Sequence, residues 1–307
     1  MSLPKRVLGR TGLEVTQLGF GAMEVRGERI WGGRPCNDEQ AKTILNAVLD
    51  AGINFIDTAN DYGKSELYIG RHLAHRRSQF YIATKCGCHM MYAGDHDETP
   101  HFWTRENILR NVSDSLMKMQ TDTIDILQLH NPTVEQCREA HLVDILQELK
   151  SQGVIRFIGC SSTLPHLPEY ISWGVFDTFQ IPYSALERRH ENWITRAAEA
   201  GAGIIIRGGV ARGEPGSTTG RTNEETWKKF EQAKLDELRE PGESRTAFLL
   251  RFTLSHPHCH TTIVGTLQPS HLAENVAAAQ KGPLPKDVYE EAKKRLAAVG
   301  EVPQDNL

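Results

Sequence analysis

The chain has 307 residues, enough for one large domain or two small ones, with a formal net charge of −4 and a 7% aromatic share, as in soluble globular proteins. No basic block suggests a nucleic-acid partner, no charged tail suggests an interaction arm, and no run approaches the ~18 apolar residues that span a membrane. The opening MSLPKRVLGRTGLEV lacks the apolar stretch of a secretion signal, so the expected location is the cytoplasm, with the six cysteines as reduced thiols.

In chain order, the first apolar run with strand character is Val15–Leu18. Asn37-Asp38-Glu39-Gln40 then reads as an N-cap with a capping-box glutamine, opening a helix whose apolar face is Ala41, Ile44, Leu45, Val48 and Leu49 and which Gly52 stops. The second strand, Ile53–Ile56, ends on Asp57, and Tyr62 follows among turn-forming residues. The third, Phe80–Ala83, is followed by Lys85 and by Cys86-Gly87-Cys88, whose single intervening residue is neither a redox nor a zinc spacing. A helix over about Arg105 to Met119 should bury Ile108, Val112 and Leu116.

Strand four, Thr123–Leu129, is followed directly by His130. Thr133 to Gln136 repeats the capping box, with Leu142, Ile145, Leu146 and Leu149 on the helix face and Gly153 as the stop. Val154–Gly159 leads to Ser161 and Ser162, Phe176–Ile181 contains Gln180, and Gly203–Ile206 leads to Arg207. From Arg207 to Gly242 the rhythm breaks, and GGVARGEPGSTTGRTNEET reads as a mobile loop. His256, His258, Cys259 and His260 read as a polar turn before the eighth strand, Thr261–Val264, and no metal is expected there or elsewhere.

Continuous apolar strands alternating with amphipathic helices mean an α/β protein with parallel strands. An open dinucleotide fold should begin with G-x-G-x-x-G, but Gly19-Phe20-Gly21-Ala22-Met23-Glu24 lacks the third glycine and opens no helix. Eight strand–helix units in a chain of this size predict a (β/α)8 TIM barrel, a single domain over residues 1–307, with the irregular loop over its C-terminal mouth.

Residues just after barrel strands converge on one face. Asp57, Lys85, His130, Ser161, Ser162 and Gln180 are each polar directly behind or at the end of an apolar run. A phenol has a reference pKa of about 10, and a nearby ammonium favours its ionised form. Lys85 held by Asp57 therefore tunes Tyr62 as a proton donor, while a neutral His130 donates a hydrogen bond to a carbonyl oxygen. The hydride must come from a cofactor, since no side chain supplies one.

With these residues the chain resembles the aldo-keto reductases, nicotinamide-dependent oxidoreductases on a (β/α)8 barrel, over nearly its full length. KRVLGRTGLEVTQLGFGAM resembles the family's opening β-hairpin and first strand, with Gly21 and Ala22 at the cofactor. INFIDTANDYGKSE, IATKCG and DILQLHNP carry the four catalytic positions, Asp57, Tyr62, Lys85 and His130. FIGCSS and FQIPYS resemble the segments that hold the nicotinamide carboxamide, which gives Ser161, Ser162 and Gln180 that task beside Asp57. VGTLQPSHLAEN resembles the grip on the adenosine end, implicating Gly265, Thr266, Gln268, His271, Glu274 and Asn275.

Two departures stand out. Where many relatives stack an aromatic ring on the nicotinamide, this chain has Arg207, Gly208, Gly209 and Val210, so Arg207 is expected to stack or to meet the pyrophosphate. Around the adenosine end, Leu267, Gln268 and His271 include no Lys or Arg. The expected cofactor is NADP(H) ahead of NAD(H), and the expected substrate a small carbonyl compound or alcohol. A sugar or hydroxy-compound dehydrogenase, or a cofactor-sensing binding subunit, are the alternatives, and a homo-oligomer is left open. Substrate loops would be Gly87 to Phe102, with Met90, Met91, Tyr92, Phe102 and Trp103 as an apolar wall or as loop packing, and the segment after Ile206.

Overall fold

The computed structural model describes residues 2–30, 36–216 and 224–305. A two-stranded antiparallel hairpin, β1 (Lys5–Val7) and β2 (Glu14–Thr16), comes first, in the register Arg6 to Val15. Eight strands then close a barrel: β3 (Leu18–Gly21), β4 (Phe55–Asp57), β5 (Tyr81–Cys86), β8 (Ile124–His130), β9 (Ile155–Ser161), β10 (Thr178–Pro182), β11 (Gly203–Arg207) and β12 (Thr261–Val264). All eight pairings are parallel, and β12 returns to β3 with Ile263 opposite Gly19. A short hairpin, β6 (Met91–Ala93) and β7 (His96–Glu98), rises from the loop after β5.

The expected first strand, Val15–Leu18, is corrected. It straddles the end of β2 and the start of β3, which only Gln17 separates. Leu8, Leu13 and Val15 of the hairpin segment pack with Phe55, Ala83, Ile126 and Ile205 in a core of their own. The hairpin thereby plugs the N-terminal end of the barrel and leaves the other end open to carry the site.

Helices α1 (Asp38–Asp50), α2 (Ser65–Leu73), α3 (Arg105–Met119), α4 (Val134–Glu139), α5 (Leu142–Ser151), α6 (Leu167–Trp173), α7 (Glu191–Glu199), α8 (Glu224–Gln232), α9 (Arg245–Leu254), α10 (Pro269–Lys281) and α11 (Lys286–Ala298) make the outer layer. Both capping boxes form. Asn37 accepts the Gln40 N–H at 2.8 Å and Gln40 accepts the Asn37 N–H at 3.1 Å, and Thr133 with Gln136 repeats this at 3.2 and 2.9 Å. The second box does not open one long helix, however. His141 takes a left-handed conformation, φ 50°, which breaks the ladder and divides α4 from α5. In α3, Ile108 and Val112 are buried as expected, while Leu116 is only half-buried.

The stretch from Arg207 to Gly242, where the rhythm breaks, contains a helix that begins inside the last three residues of the expected loop. α8 is polar except for Trp227 and Phe230, whose burial pins it to the barrel, and the Trp227 indole N–H donates to the Ala211 carbonyl. The rest of the expected mobile loop falls partly on residues 217–223, outside the described residues. The expected turn at His256 to His260 is structural: the His260 ring accepts the Ile204 N–H at 2.9 Å, and the buried His256 lies 3.3 Å from the Glu191 carbonyl.

Candidate active site

Along each strand alternate residues face the barrel axis, so Ile126, Gln128 and His130 share one face of β8, as do Phe55 and Asp57 of β4 and Ala83 and Lys85 of β5. The lower member of each set belongs to the interior core, and the upper members form a polar layer above it. Asp57 is its centre. Lys85 donates to Asp57 Oδ1 at 2.6 Å and to the Thr58 carbonyl at 2.8 Å. Gln128 and Gln180 donate their amides to Oδ2 at 2.9 and 2.7 Å. A carboxylate 2% exposed is thus satisfied on both oxygens, as burial of a charge requires.

Gln128 is a residue that the reading of strand ends missed. It sits inside an apolar run, and its one signal is a polar side chain on the same face as His130. Its room comes from Gly159 on the neighbouring strand, where an added Cβ would meet the Gln128 Cγ at 2.9 Å and the Thr178 hydroxyl at 2.5 Å. Gln128→Leu should remove a hydrogen bond to a charged group and cost about 1.5–3 kcal/mol of stability. Urea unfolding measures it, and an unchanged midpoint would mean that Gln180 alone suffices for Oδ2.

Tyr62 stands over this layer. The Lys85 ammonium lies 4.8 Å from the centre of its ring, and the His130 ring meets it edge-on at 6.1 Å. Burial works against the Lys85 charge, but Asp57 together with Tyr62 outweighs it and holds the ammonium above its ordinary pKa. For Tyr62 the balance differs from the expectation. Burial pushes the phenol up to about 12, and the downward pull of Lys85 only partly counters burial and the Asp57 charge. Tyr62 is thus a protonated phenol held beside a fixed cation.

Behind His130 lie further groups that the strand-end reading did not find. The Cys88 thiol is 3.0 Å from His130 Nδ1 and 3.4 Å from His101 Nε2, and Asp61 Oδ1 is 3.5 Å from His130 Nδ1. Burial opposes the charge of Asp61, yet attraction to His130 holds its carboxyl below the ordinary range.

A cleft of about 670 Å³ opens from Asp57, Tyr62 and His130 and runs to Thr266, His271 and Asn275. Of the residues expected at a cofactor, Gly21, Ser161, Gln180, Arg207, Gly208 and Val210 line it, as do Gly265 and Glu274 at the far end. Ala22, Ser162, Gly209 and Gln268 do not. Ala22 is fully buried, and the Ser162 N–H is spent on the Gln180 carbonyl. Gly209 is packed so tightly that a Cβ would meet the Thr262 hydroxyl at 2.4 Å, and Gln268 is exposed at the cap of α10. Among the proposed wall residues, Tyr92 is 78% exposed with the Arg29 guanidinium 4.7 Å from its ring centre, and Trp103 packs on Gly87. None of the five lines the cleft, so they pack or decorate the loop instead.

The donors suit a dinucleotide. Gly265 keeps the wall low where a Cβ would strike the Gly21 carbonyl at 2.5 Å, and the N-terminus of α10 offers a positive dipole end beside Thr266 and His271. Arg207, at the end of β11, has its pKa lowered chiefly by burial, which does not remove the guanidinium charge, and Glu187 and Asp57 oppose that lowering. At the other end of the cleft Asp57 and Gln180 make a polar floor, with Gln128 hydrogen-bonded to Asp57 beneath it.

Known proteins are similar to this chain in sequence and in fold. The aldo/keto reductase family model matches residues 17–296. An uncharacterized oxidoreductase, YqkF of Bacillus subtilis (strain 168), is 30% identical over 291 residues, covering 90% of each chain. The NADH-specific methylglyoxal reductase of Escherichia coli (strain K12) is 33% identical over 206 residues, 62% of each chain. The holo form of aldo-keto reductase AKR11C1 from Bacillus halodurans superposes with a TM-score of 0.81 at 29% identity, over 95% of this chain and 96% of that one. The closed parallel barrel, the polar layer at its open end and these matches together make the chain a member of the aldo/keto reductase family.

Proposed function

We propose that the protein reduces a small aldehyde or ketone to the alcohol, reversibly, with Tyr62 as proton donor and NADP(H) as cofactor. The observation that carries this reading is the set of buried Asp57, Lys85 and Tyr62 with the partly buried His130 at the foot of the cleft. The nicotinamide supplies the hydride when bound. In reduction, the Tyr62 hydroxyl gives its proton to the carbonyl oxygen as negative charge builds there, and the fixed Lys85 ammonium stabilises the phenolate that remains. His130 donates a hydrogen bond to the same oxygen and orients it. Asp57 anchors Lys85 without itself exchanging a proton. The cytoplasm is the compartment that fits this chemistry, with no membrane or nucleic acid as partner.

The pH dependence follows from the raised Tyr62 pKa. The donor stays protonated through the neutral and mildly alkaline range, so its ionisation should not limit reduction there. Alcohol oxidation needs Tyr62 as the phenolate base, so its kcat/KM should climb as pH rises from about 7 to about 9. Steady-state assays in both directions check this, and an oxidation rate that falls with pH would contradict it.

For the cofactor, His271 is the group proposed to face the 2′-phosphate, and Glu24 and Glu274 line the same cleft and oppose an anion there. The name of the Escherichia coli relative gives that protein NADH specificity, so the choice needs a direct measurement. NADPH should bind tighter than NADH, and His271→Ala should narrow the ratio of dissociation constants while leaving NADH unaffected. Equal binding in the parent would assign the protein to NAD(H), and a ratio unmoved by His271→Ala would remove His271 as the selector. A panel of aldehydes, ketones and sugars assayed with each cofactor separates a carbonyl reductase from a sugar dehydrogenase. Slow turnover with tight cofactor binding would point to a sensing subunit instead.

A further inference from the structure

We propose that Cys88, His101 and the Nδ1 side of His130, completed by Asp61, form a binding site for one zinc-class divalent cation. The three ligand atoms of Cys88, His101 and His130 all lie within 4.8 Å of one another. Cys88 Sγ is 3.0 Å from His130 Nδ1 and 3.4 Å from His101 Nε2, and Asp61 Oδ1 is 3.5 Å from the same His130 nitrogen. Tetrahedral coordination with metal–sulfur bonds of ~2.3 Å and metal–nitrogen bonds of ~2.0–2.1 Å puts neighbouring ligand atoms roughly 3.3–3.6 Å apart. The Cys88–His101, Cys88–His130 and Asp61–His130 spacings are close to that, and Asp61 reaches the site from the His130 side. Asp61, 1% exposed, supplies a second observation: its Oδ1 is buried without a hydrogen bond of ordinary geometry.

The backbone explains how ligands thirteen residues apart meet. Cys88 and His101 face each other in an isolated antiparallel bridge, flanked by the Phe102 N–H on the Gly87 carbonyl and the His89 N–H on the Pro100 carbonyl, both 2.8 Å. Gly87, at φ +108°, makes the turn beneath Trp103, and a Cβ there would strike the indole at 2.1 Å. His101 is stacked on Trp103 at 5.5 Å, which fixes its ring. One thiolate, two imidazoles and one carboxylate are a donor set for zinc or cobalt rather than for magnesium or calcium. On binding, the Cys88 thiol proton and any proton on His130 Nδ1 pass to solvent. The metal on Nδ1 leaves the hydrogen on Nε2, the tautomer that donates to a carbonyl oxygen. The cation is thus a device for positioning His130, and its binding can be read whether or not the proposed reaction holds.

The test uses the full-length protein, stripped with chelator, kept reduced with a phosphine and titrated with Co²⁺ without substrate or cofactor. One equivalent should bind with a thiolate-to-cobalt charge-transfer band in the near ultraviolet and intense visible bands of tetrahedral cobalt, both erased by Zn²⁺. Cys88→Ser should abolish the charge-transfer band, although the other cysteines remain. His101→Ala, at an exposed position, should weaken Co²⁺ binding by at least about tenfold with the circular dichroism of the fold unchanged. No band in the parent, a band that survives Cys88→Ser, or an affinity unmoved by His101→Ala would each overturn the site.

Discussion

Tyr62→Phe is expected to lower turnover by at least ~10²-fold while leaving cofactor affinity nearly unchanged. The substitution keeps the ring, which is buried beneath the cleft and shared with Lys85 and His130, and removes only the hydroxyl. Because the ring is retained, little packing is lost, so the fall should appear in kcat and in kcat/KM together, the mark of an interaction made in the transition state. A solvent isotope effect on the chemical step should vanish or change with the hydroxyl. Parental rates of aldehyde reduction by the variant would remove Tyr62 from the mechanism.

Much of this site is legible in the sequence because a barrel turns strand ends into a shared surface. Asp57, Lys85 and His130 each follow a run of apolar residues, so a polar residue at that point has few uses other than the mouth. Gln128 is less legible, since its role depends on Gly159 of the next strand, a pairing that no local pattern announces. Cys88 and His101 are invisible for the same reason: a backbone bridge between two loop segments brings them together, and their spacing resembles no metal motif. The sign of the Tyr62 shift is a further case. Sequence puts an ammonium near the phenol, but the depth of burial that outweighs it belongs to the folded chain. Local chemistry also misleads at the first strand, where the end of β2 and the start of β3 read as one run because Val15, Thr16, Gln17 and Leu18 are all buried. The helix hidden before Gly242 is hard to see because only two aromatic residues anchor it.

Lys85→Met is expected to lose both turnover and stability. The stem of Lys85 is 1% exposed, so methionine fills much of its volume and the change is chiefly the loss of charge. In the parent, the ammonium satisfies Asp57 Oδ1 at 2.6 Å and the Thr58 carbonyl at 2.8 Å. Its loss leaves a buried carboxylate with only the two amides on Oδ2, and breaking one side of a buried pair costs about 3–5 kcal/mol. Asp57 escapes part of that cost by taking up a proton, so the stability deficit should shrink at acid pH and reach its full size at neutral pH. The sign follows from linkage: the variant's folded state binds a proton more readily than its unfolded state, so its stability falls as pH rises through that range. Turnover should fall at the same time, because the phenolate left by proton donation has lost its cation, and this loss should persist at pH values where the fold is intact. The double change Asp57→Asn with Lys85→Met removes both charges and separates the two effects. It should recover much of the stability and none of the activity, since it repairs the buried charge and leaves Tyr62 without its ammonium. Chemical unfolding of parent, single and double variants at about pH 5 and about pH 7.5, beside single-turnover reduction, makes the measurement. A folded Lys85→Met enzyme with parental turnover would refute the role of Lys85 in proton donation by Tyr62.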